Sequence, residues 1–393
     1  MNLAEIQQEL RKQKLDGWLF FDHHLRDPLA YRILGLTPGK GPTRRWYYMI
    51  PATGEPKGME HRIERNQLAG LPGEKIAYSS WTEQLAALGQ LTAGMKRVAM
   101  AYSPMCAVPY VAIVDAGTVE LVRSLGVEVV TAAELIQIFE ARWTPAALET
   151  HLEAGRRVDK VRAAAFELIR QRTRNGAPLQ EVEVKDFVRQ GFADAGLITD
   201  SGPIVGCNAN ASNPHYEPSA EATSPIRSGD WVLLDMWAKL DRPLDQPGAV
   251  YYDITWTAFC GDTPSDQMRR VFTTVRDARD AAIARVQTAI PRGETLRGFE
   301  VDDACRAVII KAGYAEYFTH RTGHSIGVEV HGTGANMDNF ETHDERRVMP
   351  WSCFSVEPGI YLPEFGVRSE INMFIGDHDA RVTGEIQREM VLL

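Results

Sequence analysis

Residues 230–240 read DWVLLDMWAKL, an apolar run of strand composition with one acid, Asp235, set near its middle. A second run, YYDITWTAFC at 251–260, repeats the arrangement around Asp253. A single acid in a strand ordinarily sits at an edge or faces water. Two of them are harder to dismiss, because a carboxylate buried without a partner is costly and usually faces a cation or a hydrogen-bond network. The pattern returns near the end of the chain, where Glu357 follows FSV in SCFSVEPGIYL (352–362) and Glu370 lies within GVRSEINMFI (366–375). These two stretches read as a pair of strands joined by a short loop. Four acids from separate strands, converging on one sheet face, form the set that hard or borderline divalent cations prefer, with bridging carboxylates holding a metal pair. The same spacing also fits four unrelated surface acids.

The histidines favour the cation. HRTGHSIGVEVH (320–331) places three of the chain's ten histidines within twelve residues. His324 lies between Gly323 and Ser325-Ile326-Gly327, where small residues let backbone approach a ligand. His331 closes the alternating VEV and is expected at the end of the same extended segment, and His320 precedes the pair by a short turn. His215, in NASNPHYEP, falls on a turn rich in Asn and Pro just before the first acid strand, and loops beside a rigid scaffold are where catalytic groups concentrate. Any one of these histidines alone reads as structural; their clustering does not.

Working outward, a chain of 393 residues exceeds one ordinary core and predicts two domains. Residues 1–144 alternate short apolar runs (17–22, 45–50, 74–80, 96–102, 127–132) with helical spacing at 82–94 and 111–124, the signature of a small α/β domain. From Pro145 long helices take over, the first stopping at Asn175-Gly176, and residues 145–393 continue through strands and two further helices near 264–290 and 296–312. The expected class is α+β. No lysine-arginine block accompanies the formal charge of −9, so nucleic acid is not an expected partner. No apolar run is long enough to span a bilayer, and MNLAEIQQELRKQK reads as a charged amphipathic helix rather than a secretion signal. The five cysteines are scattered without a CxxC pair, which predicts free thiols and a cytoplasmic setting.

The ordered set Asp235, Asp253, His324 in GHSIG, Glu357 in SVEPGIY and Glu370 in VRSE resembles the pita-bread-fold metallopeptidases: methionine aminopeptidases, aminopeptidase P and prolidases, with creatinase as a metal-free relative. The resemblance covers roughly residues 145–393. It implies a pita-bread catalytic domain in which those five residues hold two divalent ions, manganese first, with cobalt, zinc or iron as alternatives. It further implies that His215 and His331 contact substrate, that Glu357 doubles as general base, and that His320 and Arg368 match active-site groups of the proline-specific members. A preceding domain of this size is typical of the prolidase and aminopeptidase P branch, so the implied substrate is an Xaa-Pro dipeptide or a longer Xaa-Pro peptide, and the implied assembly a homodimer. The resemblance extends to creatinase-like and peptide-binding relatives, against which the intact ligand set argues. Tyr216, Trp237 and Tyr361 are candidate walls of a proline pocket. Departures from the family pattern are a longer gap between Asp235 and Asp253, filled by KLDRPLDQPG (239–248), Val250 for a usual tyrosine, and Trp256 for a usual arginine. Lys239 and Arg242 in that insertion are candidates to meet a substrate carboxylate.

Overall fold

The computed structural model describes residues 1–37, 41–242 and 248–393, so the inserted segment lies partly outside the described residues. The chain forms two compact units, Met1–Glu140 and Ala141–Leu393. The division falls ahead of Pro145 because Trp143 already belongs to the second unit: it is buried there, with its indole N–H donating to Ile326 O at 3.1 Å.

In the first unit, strands β1 (Gly17–Asp22), β2 (Trp46–Pro51), β3 (Lys57–His61), β4 (Glu74–Tyr78), β5 (Arg97–Met100) and β6 (Glu128–Thr131) form one six-stranded sheet in the order β4-β3-β2-β1-β5-β6. GWLFFD is buried along its whole length, as its unbroken apolar run requires of a strand near the sheet's centre. Helices α1 (Leu3–Lys12), α2 (Pro28–Leu34), α3 (Trp81–Leu91), α4 (Ala116–Ser124) and α5 (Ala133–Ile136) complete this unit. Strand β3, KGMEH, has little strand propensity of its own; pairing with β2 on one side and β4 on the other makes it a strand.

The second unit opens with α6 (Pro145–Arg174), capped by Thr144, whose side chain accepts the Ala147 N–H, and α7 (Glu181–Asp194). Next come β7 (Leu197–Ile198), β8 (Ile204–Cys207), β9 (Trp231–Leu240) and β10 (Tyr252–Phe259), then α8 (Asp266–Ala289) and α9 (Gly298–Lys311). The chain ends with β11 (Ser325–Ile326), β12 (Cys353–Val356), β13 (Gly359–Tyr361), β14 (Gly366–Arg368), β15 (Ile371–Ile375), β16 (Ala380–Thr383) and β17 (Val391–Leu392). One sheet runs β17-β10-β9-β7 with β8 also on β9; a second runs β11-β12-β15-β16; β13 and β14 form a separate hairpin.

The period of two along β9 decides which way Asp235 points. Val232, Leu234, Met236 and Ala238 pack into the core under α6 and α7, whereas Trp231 and Leu233 pack into the core with α8 and α9. Asp235 is next in the second row. The antiparallel register places Thr255 opposite Asp235 and Asp253 opposite Trp237, so all four lie on one face of the β9–β10 pair.

Two expectations are corrected. The terminal acid stretches are four short strands, not two, and the breaks fall at Glu357-Pro358 and at Ser369-Glu370. Proline cannot donate to a ladder, and both glutamates send their backbone N–H elsewhere, Glu357 to Thr322 O at 2.7 Å and Glu370 to Thr255 O at 3.0 Å. The segment before His331 is not extended: after Ile326 the chain reverses, and Gly332 N–H returns to Ser325 O at 2.6 Å. The close approach favours glycine, since a Cβ on Gly332 would meet Ser325 Oγ at 2.9 Å and Ser325 O at 3.2 Å.

Candidate metal centre

Asp253 on β10, His324 beside β11 and Glu370 between β14 and β15 are all buried, and each offers a ligand atom within 4.8 Å of the others. His324 Nε2 stands 3.5 Å from Asp253 Oδ2 and 3.4 Å from Glu357 Oε1. His324 is placed by its backbone, whose N–H donates to Ser355 Oγ at 2.9 Å, and Ser355 Oγ in turn donates to Glu357 Oε1 at 3.1 Å. Gly323 allows this, because a Cβ there would lie 1.9 Å from Ser355 O. Asp253 is fixed by Asn372, which accepts its N–H at 3.1 Å and donates to its carbonyl at 2.7 Å, tying β10 to β15. Asp235, the remaining acid of the sequence set, is ion-paired with Arg368.

Arg368 is buried and organises its surroundings. Its Nε donates to Thr255 Oγ1 at 3.0 Å, one terminal nitrogen to the Tyr361 hydroxyl at 3.1 Å, and the other to Asp235 Oδ2. Thr255 Oγ1 donates onward to Glu370 Oε2 at 2.8 Å. His320 Nε2 is 2.7 Å from the Tyr361 hydroxyl, and its Nδ1 is 2.7 Å from Arg321 O. His331 stacks edge-on against His324, ring centres 4.4 Å apart.

Burial first, and the neighbouring Asp235 next, push Asp253 well above the usual carboxylate range, while Arg368 opposes the rise. Burial and then Asp253 do the same to Glu370. Glu357 is raised by burial, with His324 and Arg368 pulling it down. Two carboxylates at this spacing repel by about 3 kcal/mol at the effective dielectric of such sites. One guanidinium does not neutralise four acids, and Asp253 Oδ1 is buried with no hydrogen-bond partner among the described residues. An orphaned carboxylate oxygen within an Asp/Glu/His set is the donor chemistry of a divalent cation site, and the residues fit one. The histidines are neutral at neutral pH: burial lowers His324, His324 and then burial take His331 to about 3, and burial and then Arg368 take His320 to about 3.

The other sequence candidates fall elsewhere. His215 is exposed in its loop, its backbone N–H donating to Asn213 Oδ1 at 3.1 Å. Tyr216 gives its hydroxyl to Glu181 Oε2 at 2.7 Å, a contact that locks the loop to α7. Trp237 donates to Asp200 Oδ1 at 2.8 Å and stays partly open on the Asp235–Asp253 face. Lys239 donates to Val328 O at 2.5 Å across the Tyr251 ring. Val250 is buried in an apolar cluster, and the guanidinium of Arg162 lies 3.6 Å over the Trp256 ring. Sequence reasoning missed Thr255, Ser355 and Asn372, which hold the acids in place. Thr255 sits two residues after Asp253 on the same face of β10 by the period of two, and that was the available signal for it.

A mixed α/β unit with acids and a histidine gathered on one sheet face defines a candidate divalent-cation centre. The family model for metallopeptidase family M24 matches residues 149–377, and the chain belongs to that family. It is 31% identical over 219 residues to an Xaa-Pro dipeptidase of Lactobacillus delbrueckii subsp. lactis, covering 56% of this chain and 53% of the relative. It is 30% identical over 217 residues to a putative Xaa-Pro aminopeptidase of Mycoplasma pneumoniae, covering 50% and 54%. The chain thus spans about half the length of the curated relatives it matches. Among solved structures, a dipeptidase from Mycobacterium ulcerans shares the fold with a TM-score of 0.71 at 24% identity, over 99% of this chain and 96% of that one.

Proposed function

We propose that this protein hydrolyses Xaa-Pro peptide bonds, with Xaa-Pro dipeptides as the preferred substrate, at a centre where Asp235, Asp253, His324, Glu357 and Glu370 hold two divalent ions. The observation that carries the reading is the buried Asp253–His324–Glu370 cluster with its unpartnered Asp253 oxygen, in a chain of this family. Likeness to an Xaa-Pro dipeptidase supports the substrate class. Manganese is the first choice of ion, with cobalt, zinc and iron compatible with the same donors. Bound divalent ions would supply Lewis acidity toward the scissile carbonyl and activate water at neutral pH.

The chain's own groups do the rest. Asp253, Glu370, Asp235 and His324 would hold the ions, with the two carboxylates of Asp253 and Glu370 shared between them by the resemblance to the family. Glu357 is the general base: its side chain is 15% exposed against 6% for Asp253, which leaves it the more accessible of the two carboxylates beside His324 for taking a proton from water and passing it on. His331 in its neutral form and His215 donate hydrogen bonds to the developing oxyanion and hold the substrate, and His320 with Tyr361 orients Arg368. A proline after the scissile bond lacks an N–H and fixes φ, so a shaped pocket can select it where strand-binding proteases cannot. Trp237 and Tyr361 are the wall candidates beside the acids, Tyr361 through its contacts with His320 and Arg368. We further propose a homodimer in the cytoplasm, a setting consistent with the absence of any disulfide among the cysteines.

The second reading, an aminopeptidase acting on longer Xaa-Pro peptides, is favoured by the likeness to the Mycoplasma pneumoniae protein. A chain-length series decides: with added manganese, Ala-Pro should be cleaved with a higher kcat/KM than Ala-Pro-Ala, and chelation should abolish both. Hydrolysis of Ala-Pro-Ala alone would transfer the assignment to the second reading, and activity indifferent to chelation would remove the metal centre.

A further inference from the structure

The first unit carries a cleft of about 530 Å³ that none of this chemistry uses. Its walls include Arg26, Arg44 and Arg45 together with His23, and Trp81 and Tyr78 add aromatic surface. The chain as a whole is acidic, at −9, yet the one acid lining the cleft is Asp115. That acid is already occupied as the cap of α4, accepting the Thr118 N–H at 2.9 Å and the Thr118 hydroxyl at 2.8 Å. Nearby Glu64 is likewise taken up by the backbone N–H groups of Thr43 and Arg44. Asp22, behind the cleft, is buried and accepts from three backbone N–H groups and the Tyr31 hydroxyl. The Arg44 guanidinium donates to Thr43 Oγ1 at 2.8 Å. The guanidinium groups of Arg26 and Arg45 make no hydrogen bond or ion pair with the described residues. Arg26 lowers the pKa of Asp115 and Arg44 that of Glu64, yet three forked donors still outnumber the acid that lines this concavity, and such an excess forms a field that attracts anions. His23 feels it: burial, His24, and then Arg26 and Arg45 hold its pKa below the usual value.

The cleft is much larger than one oxyanion and lies within the size of small-molecule sites. Trp81, 74% exposed at its edge, is a large aromatic face without a covering neighbour. We infer that this cleft binds a small phosphorylated ligand with a flat ring, of the nucleoside-monophosphate kind, with the phosphate on Arg26, Arg44 and Arg45 and the ring against Trp81. Guanidinium forks match phosphate bidentately and aromatic rings stack on bases, so each half of the ligand has a partner on the page.

The test is calorimetric titration of the full chain with AMP, inorganic phosphate and adenosine. AMP should bind at one site per chain, at least tenfold more tightly than either fragment. Arg26→Gln combined with Arg45→Gln should weaken AMP tenfold or more, and Trp81→Ala should weaken AMP but not phosphate. Both arginine side chains are exposed, and the structural hydrogen bonds at these positions run through the backbone, so thermal melting of the double variant should match the parent. Absence of AMP binding at millimolar concentration overturns the inference, as does AMP binding unchanged in the folded double variant. Equal affinity for AMP and phosphate overturns the ring half of it.

Discussion

The guanidinium of Arg368 and the carboxylate of Asp235 form a buried ion pair that joins β14 to β9, two strands far apart in sequence. Removing one member of such a pair leaves the other as an uncompensated buried charge, which costs about 3–5 kcal/mol. Arg368→Ala should therefore lower the denaturant midpoint of the chelated protein substantially, and added manganese should restore part of the loss by supplying positive charge to the same acids. Denaturant titrations with and without metal check this. A variant as stable as the parent in the absence of metal would show that Arg368 is not what balances the acids.

Asp253→Asn and Glu370→Gln should abolish Xaa-Pro hydrolysis and metal retention together. The same substitutions remove one member of a repelling carboxylate group whose pKa values burial and mutual charge have raised. The chelated variants should then be at least as stable as the chelated parent. Elemental analysis beside thermal melts measures both halves. Retention of bound metal with near-normal turnover would take these residues out of the centre.

His331→Ala should fold and keep its metal but lose turnover on the order of a hundredfold, the usual scale for one oxyanion donor. The loss should appear in kcat more than in KM. Normal kcat/KM would return His331 to a packing role against the His324 ring.

His151 is buried and neutral, with Nδ1 2.6 Å from Tyr251 O and Nε2 2.6 Å from Thr383 Oγ1, and burial takes its pKa from 6.5 to about 4. The folded state binds fewer protons than the unfolded one between those values, so its contribution is fully present above pH 6.5 and is lost as pH falls to about 4. The loss is about 3 kcal/mol at most. His151→Gln should flatten the fall in stability over that window while lowering stability at pH 7. Equal slopes for variant and parent would mean that His151 does not titrate in this way.

Much of the candidate centre was legible because residues able to hold a cation are of few chemical types and carry local words with them. Asp235 and Asp253 stood out as acids inside apolar strands, and His324 as a histidine in a glycine-flanked run. The supporting residues were not legible in this way. Thr255, Ser355 and Asn372 are ordinary strand residues until register sets Thr255 opposite Asp235 and Asn372 opposite Ser355. Tyr216 reads as an aromatic near the site, yet its hydroxyl is committed to Glu181. Strand β3 was invisible for the same reason, since its partners and not its composition make it a strand.

The sequence by itself determined the periods of its strands and helices, the long helix started by Thr144-Pro145 and stopped at Asn175-Gly176, and the identity of the acids and histidines available for a cation. These follow from local sterics, capping and side-chain chemistry, which act over a few residues. Tertiary structure alone decided that the two C-terminal acid strands break at Glu357 and Glu370, that His331 folds back onto His324, and that Arg368 answers Asp235. Each of those depends on a backbone or charged group finding its partner across a distant strand, and the energy of a buried charge is set by what surrounds it rather than by its neighbours in the chain.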